Sequence, residues 1–114
     1  MPTDERFKQG LRLFNEGKFF ECHDVIEALW LETDRSDPCR DLYKGVIQAA
    51  ASLYQYKRGI LSGAKALLRT STSNLEKYAP AALGLNVQNL MDDMGTFFKN
   101  PGQNPLPKLE YHID

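Results

Sequence analysis

The sequence predicts an all-α protein of about five helices, in which two antiparallel helical hairpins with tetratricopeptide-like geometry share one core. Three observations lead to this fold class. Apolar residues recur at intervals of three and four through most of the chain, as they do on one face of a helix. Gly17 and Gly59 each separate two such stretches, as glycine does where one helix ends and another begins. No stretch alternates apolar and polar residues between turn signals, so no strand is expected.

The first hairpin occupies the N-terminal third of the chain. We expect helix 1 over residues 4–16, with Thr3 as its N-cap and Phe7, Leu11 and Phe14 on its apolar face. Helix 2 follows over residues 18–33. Because the link at Gly17 is very short, the two helices must lie antiparallel. The apolar stripe of helix 2 consists of Phe19, Cys22, Val25, Ile26, Leu29 and Trp30.

The second hairpin follows a boundary at Asp37 and Pro38, which suit the cap and the first position of a helix. We expect helix 3 over residues 38–58 and helix 4 over residues 62–78. The polar run at residues 70–74 consists of poor helix formers and favours a bend or an early end of helix 4. The predicted apolar stripe of helix 4 consists of Leu61, Ala64, Leu67, Leu68 and Leu75.

The C-terminal part contains one more helix and a tail. Pro80 and Gly84 bracket a connector with room for one turn of helix, and Asn86 caps helix 5 over residues 87–99. Three prolines and a glycine then rule out a further helix. Residues 1–100 are therefore predicted to form a single helical domain. Residues 101–114 are predicted to form an extended Pro-rich tail that docks on the domain through Leu106 or Leu109.

Composition restricts the class of protein. A chain of 114 residues, of which 42% are hydrophobic and 25% charged, is long enough for one domain with one core. The formal net charge of -1 argues against nucleic acid as a partner. No apolar run approaches the roughly 20 residues of a membrane helix, and the polar N-terminus is unlike a secretory signal. We therefore expect a cytoplasmic protein, a monomer or weak homodimer, with two free cysteines and a small molecule or peptide as partner.

The candidate site lies on helix 2. His23, Glu27 and Trp30 follow one another at one-turn spacing on the shoulder of the apolar stripe, so their side chains share one edge of the buried face. The His23–Glu27 pair could share a hydrogen bond, supply two metal ligands, or act as a base that Glu27 orients. A metal site needs three or four ligands, so the pair alone is incomplete. From the sequence, the cofactor is unknown.

Gln48 is the predicted partner of this edge on helix 3. The link between helices 2 and 3 is centred near residue 36, and His23 and Gln48 lie nearly equally far from it along an antiparallel pair. Gly45, one turn closer to the link, is level with Glu27, where its missing side chain leaves room for a carboxylate. The predicted ligand-binding set is therefore His23, Glu27, Trp30 and Gln48, half-buried between the two helices.

Several segments together resemble a known family. They are Phe14-Asn15, Gly17, Phe19-Phe20-Glu21, His23, Glu27 and Trp30, then Gly45-Val46-Ile47-Gln48-Ala49-Ala50, and finally Gly63-Ala64. This pattern, which extends from about Phe7 to Leu85, resembles domain-of-unknown-function family 309. That family consists of small, mostly prokaryotic, all-helical proteins without an established activity. The resemblance therefore implies the fold and the same four residues, and it implies no reaction.

Three functional hypotheses follow. The first is a module that binds a small ligand or a peptide in the groove between helices 2 and 3, without catalysis. The second is a metal-assisted or His/Glu-dependent hydrolase, with His23 and Glu27 as candidate catalytic or metal-binding residues. The third is a structural module that self-associates. The sequence favours the first and leaves open whether the protein is an enzyme.

Overall fold

The computed structural model describes residues 3–113, and its architecture is a run of helices that pack in chain order. The helices are α1 (Glu5–Asn15), α2 (Phe19–Glu32), α3 (Arg40–Lys57), α4 (Leu61–Leu75) and α5 (Val87–Lys99). Helices α1 to α4 each pack on the next, and the contact between α3 and α4 is the most extensive. The predicted all-α fold class and the helical hairpins are confirmed. In the described part, no helix is long and apolar enough to cross a membrane.

The ends of two helices differ from the prediction for local hydrogen-bonding reasons. Asp4, and not Thr3, caps α1, because its carboxylate accepts the backbone N–H of Arg6 at 2.8 Å. Helix α3 begins at Arg40, two residues after Pro38. The Asp37 carboxylate accepts the N–H of Cys39 at 2.8 Å, which closes a turn ahead of the helix. The link between α2 and α3 is therefore longer than predicted.

Helix α4 buries Ala64 and Leu75 as predicted, but its buried face is shifted from Leu61 and Leu67 toward Ser71. Leu61 is 41% exposed and Leu67 is only half-buried, whereas Ser71 is buried. The Ser71 hydroxyl donates to the Gly45 carbonyl at 2.7 Å, so its burial leaves no unpaired group. Helix α4 ends at Leu75 and continues as a 3-10 helix over Glu76–Tyr78, which shortens it by three residues relative to the prediction.

A small β-hairpin occupies the connector after Pro80, where the sequence left room for one turn of helix. Strands β1 (Ala81–Ala82) and β2 (Leu85–Asn86) pair antiparallel, which corrects the expectation of no sheet by a two-residue ladder. The turn residues Leu83 and Gly84 both have positive φ, 49° and 80°, as a two-residue hairpin turn requires. Asn86 caps α5 as predicted, since its side-chain oxygen accepts the N–H of Asn89 at 2.9 Å.

The C-terminal tail lies extended along the helices. Leu109 is 5% exposed, and the Asn15 side chain holds its backbone at both ends: the Asn15 amide donates to the Leu109 carbonyl and its oxygen accepts the Leu109 N–H. Further along, the His112 N–H donates to the Gly84 carbonyl at 2.8 Å, and Tyr111 bridges to Leu85. These contacts join the tail to α1 and to the β-hairpin.

The core is built from large apolar side chains of all five helices. Most residues expected inside are buried, with Leu67 and Leu68 as the half-buried exceptions on α4. Gly10 is buried against Ile26, so that α1 and α2 approach closely there. Cys22 and Cys39 are both free. The fully buried large side chains include Phe7, Leu11, Phe14, Ile26, Leu42, Val46, Leu53, Leu90 and Phe97.

Candidate functional site

A cavity opens between α2 and α3, at the N-terminal end of α2. Its volume is about 210 Å³. Two side chains from α2 and three from α3 line it: Phe20, His23, Ala51, Tyr54 and Gln55. The α2 residues are three positions apart and the α3 residues lie within four, so each helix turns one edge toward the cavity. We call it the α2–α3 cavity.

His23 stands at the rim of the α2–α3 cavity, held by neighbours on its own helix. Its ring stacks on Phe20, with centroids 6.4 Å apart and planes inclined by 26°. Its Nε2 lies 3.4 Å from the Glu27 carboxylate and its Nδ1 lies 3.3 Å from the Asp24 carboxylate. The structure thus brings His23 and Glu27 together, and the two carboxylates orient the imidazole.

The wall of the cavity combines aromatic surface with a polar group that lacks a partner. Phe20 is 49% exposed, and its ring lies 5.4 Å from that of Tyr54 across the groove. The side-chain oxygen of Gln55 is buried and has no hydrogen-bond partner among residues 3–113. This oxygen is shielded from solvent, so a molecule in the open cavity meets the rings and the rest of the Gln55 side chain.

Trp30 lies two turns from His23 and does not line the cavity. Its ring packs beneath two cations of α3: the Arg40 guanidinium is 4.3 Å and the Lys44 ammonium 4.1 Å from the ring centroid. The indole Nε1 is buried and without a hydrogen-bond partner in the described part of the chain. The contacts of Trp30 with α3 are therefore cation–π contacts near the start of that helix.

Gln48 and Gly45 are directed toward α4, where the sequence had placed them against α2. The Gln48 side-chain oxygen accepts a hydrogen bond from Asn74 at 2.8 Å, and a side chain at Gly45 would meet Leu75. The edge of α3 that carries Gly45 and Gln48 packs on α4 at this height of the helix pair. The predicted proximity of Gln48 to His23 has no hydrogen bond or ion pair to support it among the described residues.

Gln55, and not Gln48, is the glutamine beside His23. Phe20 of α2 contacts Tyr54 of α3, and the midpoint of these two positions is residue 37, one beyond the predicted 36. About this midpoint, position 51 of α3 is level with His23. Gln55 follows Gln48 by seven residues, about two turns, so the two glutamines lie on nearly the same face of α3. The Asp-Pro turn delays the start of α3. A prediction that allowed for this delay would have placed a residue later than Gln48 opposite His23.

The side chains around the cavity are aromatic, polar or small. None of the five lining residues is Ser, Thr or Cys. Cys22, next to His23 in sequence, is buried on the other side, and burial raises the pKa of its thiol to about 12. Across residues 3–113, no group of three or more His, Cys, Asp or Glu side chains could hold a metal ion.

Comparison with known proteins gives a family and two relatives. The family profile described as "Domain of unknown function (DUF309)" matches residues 7–67, which include every residue that lines the α2–α3 cavity. The uncharacterized protein YpuF of Bacillus subtilis (strain 168) is 34% identical over 83 residues, 71% of this chain and 47% of YpuF. An uncharacterized protein of Aquifex aeolicus (strain VF5) is 26% identical over 113 residues, 96% of this chain and 32% of the relative. The chain thus spans about half and a third of their lengths.

Proposed function

The chain belongs to the DUF309 family, whose description names no activity, and we propose that it is a ligand-binding module. In this proposal the α2–α3 cavity accepts one apolar group of a small molecule, without catalysis. The observation that carries it is an open, largely apolar cavity that residues of two helices line: Phe20, His23, Ala51, Tyr54 and Gln55. His23 at the rim contributes a second polar group, oriented by Glu27 and Asp24.

The size and surface of the cavity fit a small group. At about 210 Å³ it lies below the usual range for drug-sized ligands, about 300–1,000 Å³, so it suits a single ring or short aliphatic stem. Half-exposed Phe20 and the Tyr54 ring supply the flat apolar walls that such a group stacks on. A ligand role for Trp30 and Gln48 stays a prediction, because neither lines this cavity.

A hydrolase and a purely structural role of the His23–Glu27 pair have less support, and self-association stays a prediction. A hydrolase would use His23 as a base on water, and both its ring nitrogens already face carboxylates. A purely structural role for the polar pair predicts that His23→Ala unfolds or strongly destabilises the protein. The His23 side chain is 30% exposed and that of Glu27 43%, and such exposed pairs contribute at most about 1 kcal/mol. We therefore expect His23→Ala to keep the fold.

The test of binding blocks the cavity without disturbing the fold. Phenylpropanol, a neutral probe with one ring, should bind with a roughly millimolar dissociation constant, as expected for so small a ligand. Ala51→Met places a longer side chain in the cavity and should weaken binding by about tenfold. Ala66→Met is the matched control, because Ala66 is an exposed position of α4. Saturation-transfer NMR measures all three proteins. Equal binding by all three, or none by the parent chain, contradicts the proposal.

A further inference from the structure

A second cavity adjoins the α2–α3 cavity and differs from it in charge. Its volume is about 240 Å³, and the two cavities share Phe20 and Tyr54, whose rings form the ridge between them. Three cations line the second cavity, Lys18, Lys57 and Arg58, against one acid, Glu21. We call it the basic cavity. In a chain with a net charge of -1, such an excess of cations at one place is a local feature.

Two of these cations have no acidic partner. Lys57 and Arg58 make no ion pair within 4.0 Å among residues 3–113, whereas Lys18 pairs with Glu16 at 3.3 Å. Both rest on aromatic rings: the Lys57 ammonium is 5.6 Å from the Phe19 centroid and the Arg58 guanidinium 5.7 Å from that of Tyr54. The rings keep both charges beside the basic cavity, where an anion can reach them.

The opposite rim of the α2–α3 cavity carries the opposite charge. Asp24 and Glu27 flank His23 there, so a carboxylate bound at that end would face two negative groups. A ligand with an anionic end is therefore oriented in one way only, with the anion across the Phe20–Tyr54 ridge. An apolar group and an anionic group then each meet a complementary cavity.

We propose that the ligand is a small organic acid. Its apolar stem lies in the α2–α3 cavity, and its carboxylate lies in the basic cavity beside Lys57 and Arg58. This assignment rests on the proposed function and adds to it the chemical class of the ligand. Lys57 and Arg58 are its specificity-determining residues, and they act through charge and hydrogen bonds to the carboxylate.

Three probes with the same ring and different ends test the assignment. Phenylpropanoate, phenylpropanol and phenylpropylamine are titrated into the protein, and dissociation constants are taken from amide NMR shifts. The acid should bind about fivefold or more tightly than the alcohol, and it should shift the amides of Lys57 and Arg58, whereas the amine should shift those of Asp24 and Glu27. The preference should shrink as the screening length falls from about 10 Å at 0.1 M salt to about 3 Å at 1 M.

Charge-removing variants locate the preference. In Lys57→Gln/Arg58→Gln the acid and the alcohol should bind equally, while alcohol binding is unchanged. Arg35→Gln, in the α2–α3 link at the far end of the helix pair, removes a charge away from the site and should keep the preference. Circular dichroism verifies the fold of each variant. A preference that survives the double variant, or that Arg35→Gln also removes, overturns the assignment.

The outcomes separate this inference from the proposed function. If the three probes bind equally, the organic-acid assignment fails and the binding module stands. If none binds, the proposed function itself fails. Acetyl-Gly-Gly-Phe carries the same ring and carboxylate on a peptide. If it binds about tenfold more tightly than phenylpropanoate, the ligand is a peptide C-terminus and the small-acid assignment is overturned.

Discussion

Ile26 shows how a single residue fixes the contact between α1 and α2. It is fully buried, and its side chain fills the space that a Cβ at Gly10 would occupy. Leu67, which belongs to the predicted apolar stripe of α4, is only half-buried. Substitution by alanine should therefore lower the free energy of unfolding by different amounts at Ile26 and at Leu67.

Ile26→Ala should lower the free energy of unfolding by roughly 2–5 kcal/mol, because it leaves a cavity between two close helices. Leu67→Ala should lower it by about 1 kcal/mol, since a half-buried leucine loses only part of its transfer free energy. Urea unfolding of both variants measures the difference. Equal losses at the two positions would mean that the face of α4 has been assigned incorrectly.

The two cysteines should differ in reactivity. Burial raises the pKa of Cys22 to about 12, and the pKa of the less buried Cys39 is also raised, by desolvation and by Asp37. Alkylation by iodoacetamide at about pH 8, followed by mass spectrometry, should label Cys39 first. The unfolded chain, in which both thiols are free, serves as the control and should label both at similar rates. Faster labelling of Cys22 in the folded protein would contradict its burial.

The same shift makes stability depend on pH. Because the folded protein favours the protonated Cys22 thiol, the contribution of this thiol to the free energy of unfolding is fully present below the unfolded pKa of 9.0. It is lost as the pH rises toward the folded value of about 12.

Among the elements, the β-hairpin connects the helices to the tail. Gly84 has a positive φ of 80°, and a side chain there would collide with the backbone carbonyl of His112. Gly95, in α5, has open space where a Cβ would lie. The two glycines thus give opposite expectations for the same substitution.

Gly84→Ala should destabilise the protein by about 1–2 kcal/mol through backbone strain alone, and by more if the tail is displaced. Gly95→Ala should stabilise it by about 0.5–1 kcal/mol, because alanine has the higher helix propensity. Thermal unfolding of the pair provides the measurement. A stabilising Gly84→Ala would show that the hairpin does not hold the tail as described.

The predictability of each element follows from the kind of interaction that forms it. The stripe of α2 and the Asn86 cap could be predicted because both depend on neighbours in sequence. The burial of Ser52 on α3 and of Ser71 on α4 could not, because each hydroxyl donates to a carbonyl of the partner helix. Apolar periodicity assigns such serines to the surface, and only the packed structure supplies their acceptors.

At the scale of the whole molecule, the site depends on the register between helices. His23 and Glu27 could be paired from sequence because they share a helix. The glutamine opposite could not, because a link of seven residues between α2 and α3 decides both the register and the rotation of α3. The register puts Gln55 at the height of the cavity, whereas Gln48, two turns earlier on nearly the same line of α3, bonds to Asn74 of α4.

The measurement that tests the binding site most directly is an amide NMR titration of the parent protein with phenylpropanol. The largest shifts should fall at Phe20, His23, Ala51 and Gln55, which come from both walls of the α2–α3 cavity. Amides at Trp30 and Gln48, outside the cavity, should shift little and serve as internal references. Largest shifts at Trp30 and Gln48, or no saturable shift at any residue, would contradict the assignment of the α2–α3 cavity as the ligand site.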